Sequence, residues 1–412
     1  MEPRRVSPAN WAGNVVFSAR RIARPASVDE LRRLVARSDR IRALGTAHSF
    51  CRVADGGGLV SLGDLPADPV LAPDGSGVTL GAGMRYGELG SFLHGRGLAL
   101  ENLASLPHLS VGGACATATH GSGTRCLATQ VSALEIVTAD GELVTLRRGD
   151  ADFAGAVVGL GLLGVVVRLT LDVRPAAEVR QYVYDDLPGT EHLDAVLDGG
   201  HSVSLFTDWR GPRVNQVWRK VAAPVEPGPW FGARPADGPR HPAPGVSPVT
   251  CTEQGGVPGP WHERLPHFRL DHTPSAGDEL QSEFLLPRDR AAEALAAVGE
   301  LADQVAPVLL ISEIRSVAAD ELWLSMAYGR DSLALHFTWI PDPVAVLPVV
   351  AAVEQALALL DPRPHWGKIS RADPELAARS YERLPDFRAL VARWDPAGKF
   401  RNDLTDRWLS LR

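Results

Sequence analysis

Short β-like runs joined by glycine-rich connections constrain the fold of this chain more than any other feature. Between residues 59 and 175, four such runs alternate with glycine-rich segments and with a helix near Tyr86 to Arg96: Gly77 to Leu80, Ala133 to Thr138, Leu143 to Leu146 and Val165 to Val173. Strands mixed with helices in this way are typical of α+β proteins. Because glycine lets the backbone approach a ligand closely, we predict an α+β fold with ligand-binding loops in this region.

Length and composition indicate a folded chain of more than one domain. At about 100 to 200 residues per domain, the 412 residues correspond to two or three domains. Hydrophobic residues make up 45% and charged residues 22%, as in ordinary globular proteins. The net charge is −7 and there is no basic stripe, so we expect a small substrate and no nucleic-acid partner.

The apolar stretches of the chain are short. The longest, around Val157 to Val167 and Val344 to Val353, end at Arg168 and Glu354 after about ten residues, roughly half of a bilayer span. The N-terminal sequence MEPRRVSPANWAGN has basic residues but no apolar run behind them, unlike a secretory signal. We therefore expect no membrane segment and a cytoplasmic location. No sustained heptad or repeat demands a partner, which favours a monomer.

Cysteine and lysine are both scarce. The four cysteines have neither C-x-x-C spacing nor paired histidines, which favours buried thiols over a metal site or a disulfide framework: Cys51, Cys115, Cys126 and Cys251. Only three of the 42 basic residues are lysines: Lys220, Lys368 and Lys399. A lysine can lose its proton at usable pH and an arginine cannot, so a lysine in such a chain is a candidate for a role that arginine cannot fill.

Capping and helix-breaking signals organise the rest of the chain. Ser27 and Glu30 form a capping box at the start of a helix within residues 25–40, and a short strand follows at Ile41 to Leu44. Between Pro224 and Pro260, 17 of 37 residues are proline or glycine. This composition predicts either a long loop or lid inside the second domain or a linker between domains.

The C-terminal half alternates strand-like and helix-like segments. We expect an extended run, a helix, three strands and a second helix, in this order: Glu279 to Arg288, Arg290 to Val305, Val308 to Val317, Glu321 to Tyr328, Ser332 to Ile340 and Val344 to Leu360. The turn Gly329-Arg330-Asp331 predicts a hairpin between the last two strands.

The segment from Gly159 to Gly164 matches the dinucleotide-binding pattern G-x-G-x-x-G, but its context does not. That motif needs a strand before the glycines and a helix after them, so that a pyrophosphate sits at the helix N-terminus. Here the β-branched run Val165 to Val173 follows, which predicts a strand. A glycine turn against another cofactor or a neighbouring strand is the better interpretation.

Two loops combine small residues with many backbone N–H groups: GTAHSF at residues 45–50 and PHLSVGGACATATHGSG at residues 107–123. Such a segment can cradle a pyrophosphate without a cationic cluster. A tight structural loop explains the second segment equally well.

Two strands near the C-terminus each carry polar groups on one face. Residues two apart share a face, so Glu313 points the same way as Arg315, and His336 the same way as Thr338. A solvent-facing sheet surface is one explanation. The other is a site for a polyhydroxylated substrate, whose hydroxyls need donors and acceptors once water is excluded. Lys368, in the segment His365-Trp366-Gly367-Lys368, is either a surface side chain lying over a ring or a desolvated base.

A set of motifs in the same order identifies a family resemblance: GTAHSF, THGSG, GLGLLGVV, the E-I-R and H-F-T strands, RPHWGK and FRND. Together they resemble the vanillyl-alcohol-oxidase family of PCMH-type FAD-binding proteins, and within it the enzymes that oxidise alditols such as xylitol. The resemblance runs from about Trp11 to Leu409 and is weakest in residues 224–260. It implies an FAD-binding domain at residues 1–175, completed by the tail 396–412. Residues 176–395 would form a substrate-binding domain with a mostly antiparallel sheet covered by helices.

The resemblance implies that His48 bonds covalently to the flavin 8α-methyl carbon, and a neutral imidazole is a competent nucleophile for that bond. Further FAD contacts would come from the two small-residue loops and the glycine turn: Gly45, Thr46, Ser49, Phe50, Ser110, Gly113, Ala114, Thr117, Thr119, His120, Gly121, Ser122, Gly164 and Val165. Two positions depart from the family pattern. Ala47 is smaller than expected, and Ala118 stands where glycine is common.

The same resemblance implies a substrate pocket lined by Ser105, Glu313, Arg315, His336, Thr338 and Lys368. Lys368 would assist loss of the proton from the C1 hydroxyl while hydride leaves C1 for flavin N5, and Arg315 would stabilise the developing alkoxide. Glu313 would orient these cations and accept a substrate hydroxyl. The expected reaction oxidises an alditol such as xylitol or sorbitol to the aldose, with O₂ converted to hydrogen peroxide.

Two other functions remain open from the sequence. Aldonolactone oxidases and dehydrogenases share the histidine, the Glu/Arg pair and the H-W-x-K segment, although Ser105 and the H-F-T strand favour an open-chain polyol. The second alternative is a sugar-binding protein without turnover, against which the presence of both His48 and Lys368 argues.

Overall fold

The computed structural model describes residues 8–272 and 278–411. Residues 1–7, which carry the basic part of the N-terminal sequence discussed above, lie outside the described residues.

Helices occur in both halves of the chain. Within the described ranges they are α1 (Val28–Arg37), α2 (Tyr86–His94), α3 (Val111–Ala116), α4 (Phe153–Val157), α5 (Leu193–Leu197), α6 (Ala291–Gly299), α7 (Ala302–Val305), α8 (Pro343–Leu357), α9 (Pro374–Ser380), α10 (Leu384–Trp394) and α11 (Asp403–Trp408).

The strands are short in the first part of the chain and longer in the second. They are β1 (Ile22–Ala23), β2 (Arg42–Leu44), β3 (Leu59–Ser61), β4 (Val70–Leu71), β5 (Gly77–Gly81), β6 (Leu98–Ala99), β7 (Val131–Val137), β8 (Leu143–Arg147), β9 (Val165–Asp172), β10 (Arg174–Pro175), β11 (Glu178–Leu187), β12 (Ser202–Thr207), β13 (Val214–Val221), β14 (Arg234–Pro235), β15 (Gly259–Pro260), β16 (Leu280–Pro287), β17 (Leu309–Val317), β18 (Ser332–Trp339) and β19 (Arg363–Pro364).

These strands form separate sheets in the two halves of the chain. The first half holds a parallel three-stranded sheet, β1-β3-β2, and an antiparallel five-stranded sheet, β4-β5-β9-β7-β8. The second half holds a nine-stranded antiparallel sheet in the order β14-β11-β13-β12-β17-β18-β16-β19, with β15 also paired to β11. This is the α+β arrangement that the sequence predicts.

A large apolar core supports the first half. Ser27 caps α1 by accepting the backbone N–H of Glu30 at 3.2 Å, and Leu31 is fully buried on the inner face. The predicted capping box is only half formed, because the Glu30 carboxylate accepts the N–H of Ala26 and not that of Ser27. In β9 every second side chain is buried, the period-two pattern of a strand with one face in a core. The glycine turn from Gly159 to Gly164 leads directly into β9, so a Rossmann arrangement is excluded.

The second core lies under the nine-stranded sheet. Helices α6 and α8 pack on its far face through residues such as Leu295 and Val350. Burial of each such aliphatic side chain contributes about 1.5 to 3 kcal/mol. The opposite face of the sheet carries the polar residues described below. The expected helix from Arg290 to Val305 is interrupted, because its last turn forms α7 after a break at Glu300 and Leu301.

One predicted strand is wrong. Residues Glu321 to Tyr328 form turns and a single bridge between Asp320 and Tyr328, not a strand. Consequently the predicted hairpin at Gly329 to Asp331 does not exist. Instead β17 pairs directly with β18, with Val317 opposite Ser332. The side chains of Leu322, Leu324 and Met326 are buried against the first core, which explains their apolar character without a sheet.

The proline- and glycine-rich segment is anchored to the nine-stranded sheet and does not behave as a linker. Its residues Arg234 and Pro235 form β14 on one edge of β11, and Gly259 and Pro260 form β15 on the same strand. Both ends of the segment are therefore anchored to one sheet.

One helix meets the length and hydropathy of a membrane span: residues 343–360, α8 with the turn that follows it. Val346, Val350, Val353 and Leu357 of this helix are buried in the second core. Among the cysteines, Cys115, Cys126 and Cys251 are the buried thiols that we expect, and Cys51 is half-buried.

Candidate active site

A cavity of about 920 Å³ is lined by residues from both halves of the chain. This volume is at the upper end of the range for small-molecule and cofactor sites. One end is formed by the loop after β2, by α3 with its flanking residues, and by the glycine turn before β9. The other end is formed by the polar face of β16, β17 and β18.

His48 lies in the loop after β2 with its ring stacked on Trp11, at 5.2 Å between centroids. Its Nδ1 atom is buried and has no hydrogen-bond partner among the described residues. Burial lowers the pKa of His48 to about 4. The ring is therefore neutral at physiological pH and keeps an unpaired nitrogen.

The backbone around His48 also has unused hydrogen-bonding capacity. Within the described ranges, the N–H groups of residues 46–49 donate to no other group of the chain. The loop is joined to the start of α3, because Ser110 donates its backbone N–H to the Thr46 hydroxyl at 3.3 Å. A Cβ atom on Gly45 would clash with Ser110 Oγ, so a larger residue at this position would force the Ser110 side chain to move.

Most of the residues that we expect to contact FAD line this end of the cavity: Gly45, Thr46, His48, Ser49, Phe50, Ser110, Gly113, Ala114, Thr117, Thr119, His120 and Gly164. Three do not. Ser122 donates its hydroxyl to the carbonyl of Val203, and a Cβ on Gly121 would lie 2.5 Å from Leu103 O, so both are packed against protein. Val165 is fully buried in β9.

All six expected substrate residues line the other end: Ser105, Glu313, Arg315, His336, Thr338 and Lys368. Strand register explains the grouping. Glu313 on β17 and Glu283 on β16 both lie opposite His336 on the central strand β18. Residues directly opposite have Cβ atoms about 5 Å apart, so three functional side chains form one row across the sheet.

Glu283 is the centre of an ion cluster and is almost completely buried. Lys368 Nζ donates to Glu283 Oε2 at 2.8 Å, Arg315 Nη2 donates to Oε1, and His120 Nε2 lies 3.4 Å from Oε1. Burial alone would raise the pKa of Glu283, but Lys368 and Arg315 outweigh it and hold the pKa well below its usual range. Burial lowers the pKa of Lys368, and Glu283 opposes that shift.

Glu313 is the second buried carboxylate of the site. His267 Nε2 lies 2.8 Å from Glu313 Oε1, and Arg315 Nε lies 3.7 Å from the same oxygen. Burial favours the neutral acid, but Arg315 and His267 outweigh it and keep the pKa of Glu313 well below its usual range. The site thus holds two buried carboxylates in their ionised form.

The remaining groups are free to bind a ligand. Both ring nitrogens of His336 are buried and have no hydrogen-bond partner among the described residues. Burial, followed by the charge of Lys368, lowers the pKa of His336 to about 4, so the ring is neutral. A neutral imidazole offers one donor and one acceptor, which suits a hydroxyl.

Hydrogen bonds join the chain segments that form the two ends of the cavity. Phe50 donates its N–H to Gly367 O at 2.7 Å, and the Cys51 thiol donates to Trp366 O at 3.2 Å. The loop that carries His48 and the segment that carries Lys368 therefore lie side by side.

Four further residues line the cavity although the sequence analysis does not assign them to the site: Glu283, Gln281, His267 and His365. The signal for Gln281 and Glu283 was present, since they alternate with buried residues of β16 as Glu313 and Arg315 do on β17. His267 gave no signal, because it follows an irregular segment whose path only the fold determines.

Each half of the chain contains a region that matches a known protein family. Residues 19–147 match the FAD binding domain family, and residues 278–408 match the D-arabinono-1,4-lactone oxidase family. Alditol oxidase from a Streptomyces species is 51% identical over 95% of this chain and 96% of its own length. L-gulono-1,4-lactone dehydrogenase from Mycobacterium tuberculosis is 31% identical over 97% of this chain and 98% of its own.

Solved structures agree at the level of the fold. A cholesterol oxidase from B. sterolicum superposes with a TM-score of 0.76 over 98% of this chain and 96% of its own, at 15% sequence identity. The expected PCMH-type α+β fold is confirmed. The chain belongs to the alditol oxidase family of FAD-dependent oxidoreductases.

Proposed function

We propose that this protein oxidises the terminal primary hydroxyl of an alditol such as xylitol or sorbitol to the aldose, with O₂ as the electron acceptor and hydrogen peroxide as the second product. The observation that carries the proposal is the cluster of Glu283, Lys368 and Arg315, together with Glu313 and an unpaired His336, at one end of the cavity that His48 lines at the other.

The cavity fits FAD. The His48 ring is neutral and its buried Nδ1 has no hydrogen-bond partner among the described residues, and the N–H groups of residues 46–49 have no acceptor within the described ranges. We propose that His48 bonds covalently to the flavin and that the loops at residues 45–50 and 110–120 hold the diphosphate. When bound, FAD would supply the acceptor for the hydride that leaves the substrate carbon, and its reoxidation by O₂ would yield hydrogen peroxide.

The residues of the chain handle the proton and the substrate charge. We propose that Lys368, in its neutral form, takes the proton of the C1 hydroxyl at Nζ as the C1–H bond breaks and the carbonyl forms. Arg315 stabilises the negative charge that develops on oxygen, in a site where burial strengthens the interaction. Glu283 holds the side chains of Lys368 and Arg315 in place and is a positioning residue.

The other polar groups suit the remaining hydroxyls of a polyol. Glu313 is ionised and accepts one, and the unpaired nitrogens of His336 bind another. Ser105 and Thr338 add hydroxyls that both donate and accept. We propose that these four residues set the preference for a polyhydroxylated chain.

The covalent bond is tested by denaturing the purified protein in acid or detergent and looking for flavin absorbance or fluorescence on the polypeptide. We expect the chromophore to stay with the chain. In His48→Ala it should separate from the polypeptide. His94→Ala, which changes a histidine of α2 outside the cavity lining, is the matched control and should retain the bond. Free flavin from the unaltered protein would contradict the proposed linkage.

Substrate class is tested by following peroxide production with xylitol and sorbitol against gulono- and galactonolactone. The match of residues 278–408 to a lactone oxidase family makes lactones the second candidate. We expect the polyols to give the higher kcat/KM. A preference for lactones would assign the second function. Anaerobic bleaching of the flavin by a polyol without peroxide production in air would indicate a dehydrogenase.

We also propose that the protein acts as a monomer in the cytoplasm. The burial of one face of α8 in the second core, together with Glu354 within the helix, supports a packed helix over a membrane span. Light scattering after size exclusion, and fractionation of expressing cells, test both statements. A dimer mass or recovery with membranes would contradict them.

A further inference from the structure

Lys220 is a buried lysine outside the set of substrate-lining residues. It lies on β13, opposite Gln181 of β11 and Ser202 of β12, and is 1% exposed. Its Nζ donates to the carbonyls of Leu265 and, at 3.2 Å, Pro266. The third partner is His267 Nδ1 at 3.0 Å. An ammonium group has three donors, and here each has an acceptor.

His267 connects this lysine to the substrate site. Its Nδ1 faces Lys220 and its Nε2 lies 2.8 Å from Glu313 Oε1. Burial, followed by the charge of Lys220, lowers the pKa of His267 to about 4, so the ring is neutral. A neutral imidazole has one donor and one acceptor nitrogen. Because the ammonium donates to Nδ1, the ring proton must sit on Nε2, where it is donated to the Glu313 carboxylate.

The same segment also contacts another substrate residue. The backbone N–H groups of His267 and Phe268 donate to Ser105 O at 3.0 and 3.2 Å. Thr252 Oγ1 donates to Pro266 O at 2.7 Å. The segment is thus fixed between β13 and the pocket wall, and His267 has a defined place.

We propose that Lys220 and His267 are positioning residues for the polyol: Lys220 fixes the His267 tautomer, and His267 fixes Glu313 through Oε1, which leaves Oε2 for a substrate hydroxyl. His336 Nδ1, at 3.6 Å, is the group found nearest to Oε2 among the contacts of the described residues. The inference rests on the proposed role of Glu313 in substrate binding. It gives a function to residues 261–268, which follow the proline- and glycine-rich segment.

The electrostatic surroundings support the charged form of Lys220 at pH 6. Burial lowers the pKa of Lys220 to about 7, and Glu313 opposes this shift while Arg315 adds to it. The buried Cys251 thiol and the His267 ring are the other titratable groups that act on it. Experiments at pH 6 therefore examine the ammonium form.

The first test is kinetic. A hydrogen bond to a charged group is worth enough to change binding about tenfold or more. For Lys220→Met at pH 6 we expect the KM for the polyol to rise about tenfold, with a much smaller change in kcat. Lys220→Gln keeps an N–H donor and should restore most of the affinity. If Lys220→Met does not fold, Lys220→Gln compared with the unaltered protein measures the contribution of the charge.

A double-mutant cycle separates a tautomer effect from simple loosening of the loop. In His267→Gln the amide N–H donates to Glu313 without any help from Lys220. We expect Lys220→Met to add nothing to KM in that background. An equal increase in both backgrounds would show that Lys220 acts by another route and would overturn the proposal.

The tautomer is directly observable. In protein labelled with ¹⁵N-histidine, we expect the His267 signal, assigned by its loss in His267→Gln, to show an unprotonated Nδ1 and a protonated Nε2 at pH 6. In Lys220→Met this state should be replaced or mixed with the other tautomer. A protonated Nδ1 in the unaltered protein, or no change in the variant, would overturn the proposal.

Lys399 offers the matched control. It is also buried and also donates from Nζ to backbone carbonyls, those of Val35 at 2.8 Å and Ala139 at 2.6 Å, and none of these three residues lines the cavity. We expect Lys399→Met to lower the melting temperature without changing the KM or the His267 signal. Failure of the proposed function can be told apart from failure of this inference. If the unaltered protein oxidises no polyol, the proposed activity is contradicted, but the NMR measurement still tests whether Lys220 fixes the His267 tautomer.

Discussion

At the scale of single residues, the site depends on two carboxylates that are ionised although buried. An isolated charge in such a place would neutralise itself by a pKa shift. Here Lys368 and Arg315 supply the compensating charge for Glu283, so removal of either cation leaves part of the buried charge of Glu283 uncompensated. The arrangement holds a lysine in contact with the cavity with a lowered pKa, which is the condition for a base that works near neutral pH.

Replacing Lys368 with methionine should abolish flavin reduction by the polyol. Methionine fills a similar volume but cannot take the hydroxyl proton, and loss of a general base typically costs about 10² to 10⁴ in rate. The protein should remain yellow, because Lys368 is not among the residues proposed to hold the cofactor. Stopped-flow bleaching under anaerobic conditions is the measurement. Reduction at an unchanged rate would remove Lys368 from the chemistry.

Glu283→Gln should move the pH dependence of kcat/KM to lower pH. The Glu283 carboxylate raises the pKa of Lys368, so its removal lowers that pKa further and makes the neutral amine available at a lower pH. The ascending limb of the profile therefore shifts down, even if the maximum falls because Arg315 loses its partner. Rates measured across the pH range at saturating O₂ test this. A limb that moves upward would contradict the assignment of Lys368 as the base.

Alternation along the strands was enough to predict that Glu313 shares a face with Arg315 and His336 with Thr338. It was not enough for His267, whose position depends on the path of an irregular segment. Ala47 and Ala118, the two departures from the family pattern, both adopt left-handed backbone conformations, with φ of 58° and 52°. That explains why glycine is common at the second position.

At the scale of the elements, helix α8 carries an unusual buried acid. Glu354 is 11% exposed at its side chain and accepts the Arg371 backbone N–H at 2.8 Å. Burial raises the pKa of Glu354 to about 7. In the unfolded chain the pKa is about 4.3, so the folded state binds the extra proton between these values. Stability from this group is present at low pH and is lost as the pH rises through 7.

Glu354→Gln should remove that loss. Glutamine is neutral at all pH values and keeps an oxygen for the Arg371 N–H. We expect the variant to be close in stability to the unaltered protein near pH 4.5 and to exceed it at pH 8, by about 4 kcal/mol at most, since one pKa unit corresponds to about 1.4 kcal/mol. Melting curves across this pH range are the measurement. Glu300→Gln, at an exposed position beyond α6, is the control. Its stability relative to the unaltered protein should not rise between pH 4.5 and pH 8.

Element prediction succeeded where one physical cause dominated. The period-two burial of β9 and the Ser27 N-cap of α1 are local properties, and both are found in the structure. The second bond of a capping box is not found, because the Glu30 carboxylate accepts the N–H of Ala26 instead of that of Ser27. The strand predicted for residues 321–328 is wrong. Their apolar side chains are buried because the turns pack on the first core, so the sequence shows the hydrophobic pattern of a strand although no sheet strand pairs with it. Pairing of β17 with β18 is a tertiary outcome that no local pattern specifies.

At the scale of the whole molecule, the chain closes on itself. The core of the first half includes residues near the C-terminus, among them Phe387, Phe400 and Trp408. We propose that the chain returns to the FAD-binding domain near Trp366, earlier than the boundary at residue 396 that the sequence predicts, since Trp366 and the helices α9 and α10 already pack on this core. The sequence could not show this, because helices that pack on either domain have the same amphipathic pattern.

Asn402 links the C-terminal segment to the residues that follow the His48 loop. Its side chain accepts the Thr405 N–H at 2.9 Å as the N-cap of α11, and its amide donates to Arg52 O at 3.0 Å and Asp55 O at 2.7 Å. Those carbonyls follow directly after the loop that carries His48. Residues 350 positions apart are thus joined by one side chain.

Asn402→Ala should therefore cost more than an ordinary helix cap. Loss of an N-cap alone costs about 1 kcal/mol, and here the carbonyls of residues 52 and 55 also lose a donor. Asp373→Ala removes a cap that serves only α9, through its contact with Glu375 N at 2.9 Å, and is the matched control. We expect both variants to melt earlier, with the larger drop for Asn402→Ala. Only Asn402→Ala should carry less covalent flavin per chain after denaturation, because its loss loosens the segment beside His48. Equal flavin content in the two variants would show that the C-terminal closure stabilises the fold without acting on the attachment loop.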